Sequence, residues 1–97
     1  MQKIIGYEFY IHKGPKGYAR KPAKIYGKDI KQALAKFIRV ALDTSIHPFH
    51  MGLRTMERKK NVRGNRAITT GEMLQVVYRR QPIKFKIEPI YGDADDE

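Results

Sequence analysis

Cysteine is absent from the 97 residues. Its absence excludes a disulfide framework, a thiolate metal site and a cysteine nucleophile. Long apolar runs are absent too, and nothing approaches the about eighteen apolar residues of a membrane-crossing helix. The opening Met1-Gln2-Lys3-Ile4-Ile5-Gly6 passes directly into strand-like sequence, without the apolar core of a secretory leader. An intracellular protein that does not enter a membrane is the expectation. Acidic residues are scarce. Ten Asp and Glu stand against twenty Lys and Arg, a formal net charge of +10. Four of the ten acids (Asp93, Asp95, Asp96 and Glu97) crowd the last five positions, so residues 1–91 set twenty bases against six acids, a charge of +14.

A chain this short supports one small domain and excludes a two-lobed enzyme with a cleft between lobes. Residues 1–91 are expected to form that domain, with 92–97 as an acidic, disordered tail. Solubility alone is met by a net charge of about 2–8 in a small domain. The excess here points to a polyanionic partner, of which nucleic acid is the commonest.

The charge is clustered. Residues 12–39 hold Lys13, Lys16, Arg20, Lys21, Lys24, Lys28, Lys31, Lys36 and Arg39 against Asp29 alone. Residues 54–66 hold Arg54, Arg58, Lys59, Lys60, Arg63 and Arg66 against Glu57. Residues 79–86 hold Arg79, Arg80, Lys84 and Lys86 with no acid. One continuous surface requires a fold that gathers these three segments.

Residues 4–12 alternate, with Ile5, Tyr7, Phe9 and Ile11 on one face and Ile4, Gly6, Glu8, Tyr10 and His12 on the other, the pattern of a half-buried strand. Gly14-Pro15-Lys16-Gly17 is turn chemistry. It lacks the Gly-Lys-Ser/Thr ending of a nucleotide-binding loop, so a plain hairpin turn is its first reading. Residues 18–26 return antiparallel, and Pro22, which cannot donate to a ladder, assigns them to a sheet edge or a bulge. Over 28–43, Ile30, Leu34, Phe37, Ile38, Ala41 and Leu42 recur at helical spacing behind Asp29, with Lys28, Gln32, Lys36 and Arg39 opposite. Phe49, Leu53 and Met56 suggest a short second helix near 48–59 that Pro48 would open and Gly52 weakens. Residues 58–66 show no apolar pattern and read as an exposed, mobile basic loop. Residues 72–80 and 83–88 read as strands joined by Gln81-Pro82, the second ending at Pro89 and Gly92, with Ile83, Phe85 and Ile87 inward and Lys84, Lys86 and Glu88 outward. The expected fold is α+β: an antiparallel sheet of four or five strands with one main helix packed on one face.

Phosphates need mobile cations, and unpaired bases need π faces on which to stack. Tyr10, Tyr18, Tyr26, Tyr78 and Tyr91 are interleaved with the basic clusters, although Tyr78, like Tyr7, suits a core. The candidate nucleic-acid-binding residues are Lys13, Lys16, Tyr18, Arg20, Lys21, Lys24, Lys36, Arg39, Arg54, Arg58, Lys59, Lys60, Arg63, Arg66, Arg79, Arg80, Lys84 and Lys86. The ordinary alternative is a solvated sheet face with edge-protecting lysines. His47-Pro48-Phe49-His50 sets two imidazoles three residues apart, but no carboxylate cluster completes a metal site and Pro48 spoils regular helical spacing, so neither a metal nor another cofactor is expected.

The expected function is binding of RNA or DNA through a composite basic surface. Phosphate contacts dominate, some stacking contributes, and sequence selectivity is low. Two other classes share these features. One is a small interaction module or inhibitor docking on an acidic protein surface. The other is a small metal-independent ribonuclease assembled from His12, His47 or His50 with Tyr, Lys or Arg. No Ser/His/Asp arrangement has recognisable context, and a non-enzyme is the first expectation.

Overall fold

A computed structural model describes residues 2–62 and 68–93. In chain order it has β1 (Gln2–Ile11), a 3-10 turn (Gly14–Lys16), β2 (Ala23–Tyr26), α1 (Ile30–Leu42), a second 3-10 turn (Pro48–Met51), β3 (Arg54–Thr55), β4 (Met73–Tyr78) and β5 (Gln81–Asp93). The strands form one antiparallel sheet in the order β2-β1-β5-β4-β3. This is the α+β architecture expected, and β2, just after Pro22, lies at an edge.

α1 begins where the Asp29 carboxylate accepts from the Lys31 N–H at 2.9 Å. It buries Ala33, Leu34, Phe37 and Ile38, with Ile30 and Leu42 partly buried beside them. The stripe is rotated slightly from the one expected, since Ala33 is enclosed and Ala41 is exposed. The Phe37 ring stacks on Phe9 at 4.5 Å between centroids and meets Phe85 at 5.3 Å. Leu53, Leu74, Val76 and Ile87 complete a continuous core between helix and sheet.

Alternation along β1 is broken by a bulge. Ile4 pairs with Tyr91 and Gly6 with Ile90, which leaves Ile5 as the extra residue. Below the bulge the phase reverses: Ile4, not Ile5, packs on the core, and Ile5 lies over Gly92 on the other face. Gly6 is held close to β2. A Cβ there would stand 2.7 Å from the Ile25 carbonyl oxygen and 2.9 Å from the Tyr26 Cα.

β5 is longer than the alternation of 83–88 suggests, and both of its prolines lie inside it. It pairs with β4 over 81–86 and with β1 over 85–93. The Ile87 carbonyl accepts from Gly71 on the β4 side, so residue 89, two positions on, points the same way, beyond the end of β4. The Lys84 carbonyl accepts from His12 on the β1 side, so residue 82 points past the end of β1. Each missing N–H therefore faces a side with no strand, and neither proline breaks a ladder. Gly92 and Asp93, expected in the tail, pair with Lys3 and Gln2, while 94–97 lie outside the described residues. The β4–β5 connection is Arg79-Arg80, not Gln81-Pro82. Both arginines have positive φ, 51° and 66°, as a two-residue type I′ hairpin demands.

The expected second helix is only the 3-10 turn Pro48–Met51. Gly52, at φ 75°, ends it in the left-handed region, and the chain leaves as β3. The expected mobile loop at 58–66 is also corrected in its first part. The Lys60 carbonyl accepts from the Thr55 N–H at 2.9 Å, the Leu53 carbonyl accepts from the Val62 N–H at 2.8 Å, and Val62 is buried. Val62 is an apolar anchor inside a basic run, too isolated to give a periodic signal. Residues 63–67, with Arg63 and Arg66, lie outside the described residues.

Candidate nucleic-acid interface

Because α1 packs against the face of Phe9, Phe85 and Ile87, the alternate residues of the same strands project from the opposite face. No described helix covers that face. The strand register sets out its rows. Arg54 of β3 lies beside Gln75 of β4 and Lys84 of β5. Met73, Lys86 and Tyr10 form the next row across β4, β5 and β1. Glu88, Glu8 and Lys24 follow, and then Ile90, Gly6 and Tyr26.

Lys86 is the centre of this surface. Its ammonium stands 4.5 Å from the centroid of the Tyr18 ring and 5.3 Å from that of Tyr10, and 3.9 Å from a Glu88 oxygen. Tyr18 is bridged to His12 through the backbone, and the His12 ring meets it edge-on at 5.0 Å. The Tyr10 hydroxyl donates to Glu8 at 3.1 Å. This bond, before burial and the neighbouring carboxylates, raises the Tyr10 pKa above its ordinary value. Burial, then Glu57 and Glu88, raises that of Tyr18. Both phenols stay protonated at neutral pH, as donors and ring faces rather than bases.

Tyr18 also lines a groove of about 720 Å³ with Lys13, Lys16, Ala19, Arg20 and Lys21. The segment folds this way because Gly14-Pro15-Lys16 makes a tight 3-10 turn, closed by the Gly17 N–H donating to the Gly14 carbonyl at 2.9 Å. His12 Nδ1 accepts from the Gly14 N–H at 3.2 Å and holds the start of the turn. Four cations and one aromatic ring thus surround a single concavity that opens beside Lys86.

The remaining candidates divide by position. Lys24, Lys84 and Lys86 join Tyr18 and the groove residues on or beside the open face. Arg54 lies on the same face, with a terminal guanidinium nitrogen donating to the Lys59 carbonyl at 3.3 Å and an enclosed Nε that has no partner among the described residues. Arg79 and Arg80 are exposed at a hairpin tip that projects from the same end of the sheet as the β1–β2 loop. Arg79 also lies 5.1 Å over the Tyr78 ring. Lys59 and Lys60 are exposed after β3. Arg58 is engaged elsewhere: its guanidinium pairs with the buried Glu72 at 3.2 Å and donates to the Thr69 hydroxyl at 2.7 Å. Lys36 and Arg39 are exposed on the outer side of α1, across the core from the open face.

Alternation in β1 and β5 already put Tyr10 and His12, and Lys84 and Lys86, on outward faces. The pairing of Tyr10 with Lys86, and of Glu8 with Glu88, depends on register between strands nearly eighty residues apart, which alternation does not contain. The two histidines of 47–50 serve the turn. His47 Nδ1 accepts from the Phe49 N–H at 3.3 Å, and the imidazoles are 6.2 Å apart. Among the described residues no group of three or more His, Asp or Glu could hold a metal ion, and no helix is long and apolar enough to cross a membrane. No family model, curated protein or solved structure matches this chain.

Proposed function

We propose that this chain binds nucleic acid through the open sheet face and the groove of the β1–β2 loop. Phosphate contacts supply most of the affinity, and sequence selectivity is low. The observation that carries the reading is the placement of Tyr10, Tyr18, Lys84 and Lys86 on a sheet face that no described helix covers, next to a groove lined by Lys13, Lys16, Arg20 and Lys21. The charge of the chain supports it: three acids, Glu8 and Glu88 on the face and Glu57 near Tyr18, stand among more numerous cations, and Glu8 and Glu88 are countered by Lys24, Lys86 and the Tyr10 hydroxyl. Flexible ammonium groups neutralise phosphate without reading base edges, which accounts for the low selectivity.

The test is the dependence of affinity on salt. Replacing Lys13, Lys16, Arg20 and Lys21 with Gln removes up to four phosphate contacts. It should weaken binding and flatten the log-affinity against log-salt line by roughly 3. Replacing Lys36 and Arg39 with Gln, across the molecule, should leave the slope unchanged. A groove variant with the wild-type slope refutes this placement. Absence of binding at low salt would turn attention to an acidic protein surface as the partner, and cleavage of the probe would indicate a nuclease.

A further inference from the structure

The groove is small for a double helix and suited to one unpaired nucleotide. Its 720 Å³ falls within the range of small-ligand sites, about 300–1,000 Å³. Tyr18 forms part of its wall; its backbone is bridged to His12, and its ring already meets the His12 edge and the Lys86 ammonium. A ring already held on a fixed backbone by two contacts loses little freedom when a second ring stacks on it. The faces of a paired base are occupied by its neighbours in the duplex, and only its edges are on offer in the grooves. Of the bases of a nucleic acid, it is therefore the unpaired ones that can lay a face on an aromatic wall inside a concavity. Four cations, Lys13, Lys16, Arg20 and Lys21, line the same concavity and supply charge for the phosphates on either side of that base. The one α-helix among the described residues stands across the core from the groove, so no helix beside the site is placed to enter a major groove.

We propose, building on the nucleic-acid reading above, that the partner is a single strand. One unpaired base stacks on Tyr18, its flanking phosphates rest on Lys13, Lys16, Arg20 and Lys21, and the chain continues over Lys86 and Lys84. The experiment uses the full chain and fluorescence anisotropy at low salt. The probes are oligo(U), oligo(dT), and RNA and DNA duplexes with the same number of phosphates. The single strands should bind at least about tenfold more tightly than the duplexes. Tyr18→Leu should lose roughly 5- to 150-fold in single-strand affinity, the usual worth of one stacked base, while its salt slope and duplex affinity stay unchanged. Tyr18→Phe, which keeps the ring, should bind as the wild type does. Circular dichroism on the Leu variant establishes that the fold is intact. Duplexes binding as tightly as single strands, or a Leu variant with full single-strand affinity, would overturn the proposal and leave the broader nucleic-acid reading standing. If no probe binds, both fall.

Discussion

Phe37→Ala tests the core most directly. The ring is 2% exposed, lies parallel to Phe9 at 4.5 Å between centroids and is tilted against Phe85 at 5.3 Å. Truncation removes the central member of a three-ring cluster from between the helix and the two middle strands. The rings on either side belong to β1 and β5, which are tied to each other along most of their length, so the hole cannot readily collapse. Lost transfer energy and the residual cavity together cost about 3–5 kcal/mol for a buried Phe. A domain of this size has about 5–15 kcal/mol in all. Urea unfolding followed by circular dichroism measures the change. With a slope of about 2 kcal/mol per molar, the midpoint should fall by roughly 2 M at constant slope. Val40→Ala, on the same helix but 79% exposed, should stay within about 0.5 kcal/mol. A Phe37→Ala loss below about 1 kcal/mol would refute the placement of this ring at the centre of the core.

Gly6→Ala should destabilise by about 1–3 kcal/mol, because backbone atoms of β2 must move; Gly92→Ala meets only the Ile5 side chain and should cost less, and thermal melts that ranked the two the other way would contradict the close approach of β1 and β2. Arg58→Ala leaves the buried Glu72 carboxylate without its ion pair and should cost about 1–3 kcal/mol in urea unfolding, against less than about 0.5 for Lys59→Ala; equal effects would mean the pair is spent on nothing structural. Burial first, then Lys31 and His50, holds the His47 imidazole below its ordinary pKa, and its Nδ1 must stay unprotonated to accept from Phe49. The unfolded chain thus takes up that proton more readily, so the contribution of His47 is complete above its unfolded pKa of about 6.5 and is lost as pH falls from there through the folded value. The wild-type melting temperature should therefore drop more on acidification than that of His47→Asn, whose amide oxygen can still cap the turn, and identical drops would refute this.

Local chemistry was legible wherever one element determined its own pattern. Asp29 and the spacing of Leu34, Phe37 and Ile38 announce α1, Pro22 announces an edge, and the alternation of Ile83, Phe85 and Ile87 against Lys84 and Lys86 assigns the two faces of β5. The failures come from tertiary context. Nothing in Ile4-Ile5-Gly6 signals the bulge, since both isoleucines suit either face and only the pairing of β1 with β5 decides between them. Pro89 reads as a stop until its missing N–H is known to face a side with no strand. Arg79-Arg80 carries no turn signature, because type I′ turns favour Asn-Gly and two arginines are held there by the strands on either side. For the site, composition conveyed the sign of the charge and alternation conveyed its face. The meeting of Tyr18 with Lys86 required the fold, as did the removal of Lys36 and Arg39 to the far side and the diversion of Arg58 to Glu72.

The pairing of β1 with β5 also shapes how the chain comes into being. β1 precedes its main partner β5 by most of the fold, so during synthesis Ile4, Ile5, Tyr7, Phe9 and Ile11 wait with one long edge unmatched until the residues from Gln81 onward are made. β2 can shield only the other edge, and only from Gly6 to Phe9. Closing so long a loop is entropically costly, and sheets built on such distant pairings form slowly. An unmatched apolar strand is meanwhile a template for the wrong partner, including another nascent copy of itself. The vulnerable moment of this fold is therefore the interval before β5 becomes available to β1, and conditions that slow translation past residue 80 should reduce the soluble yield without altering the stability of the finished fold.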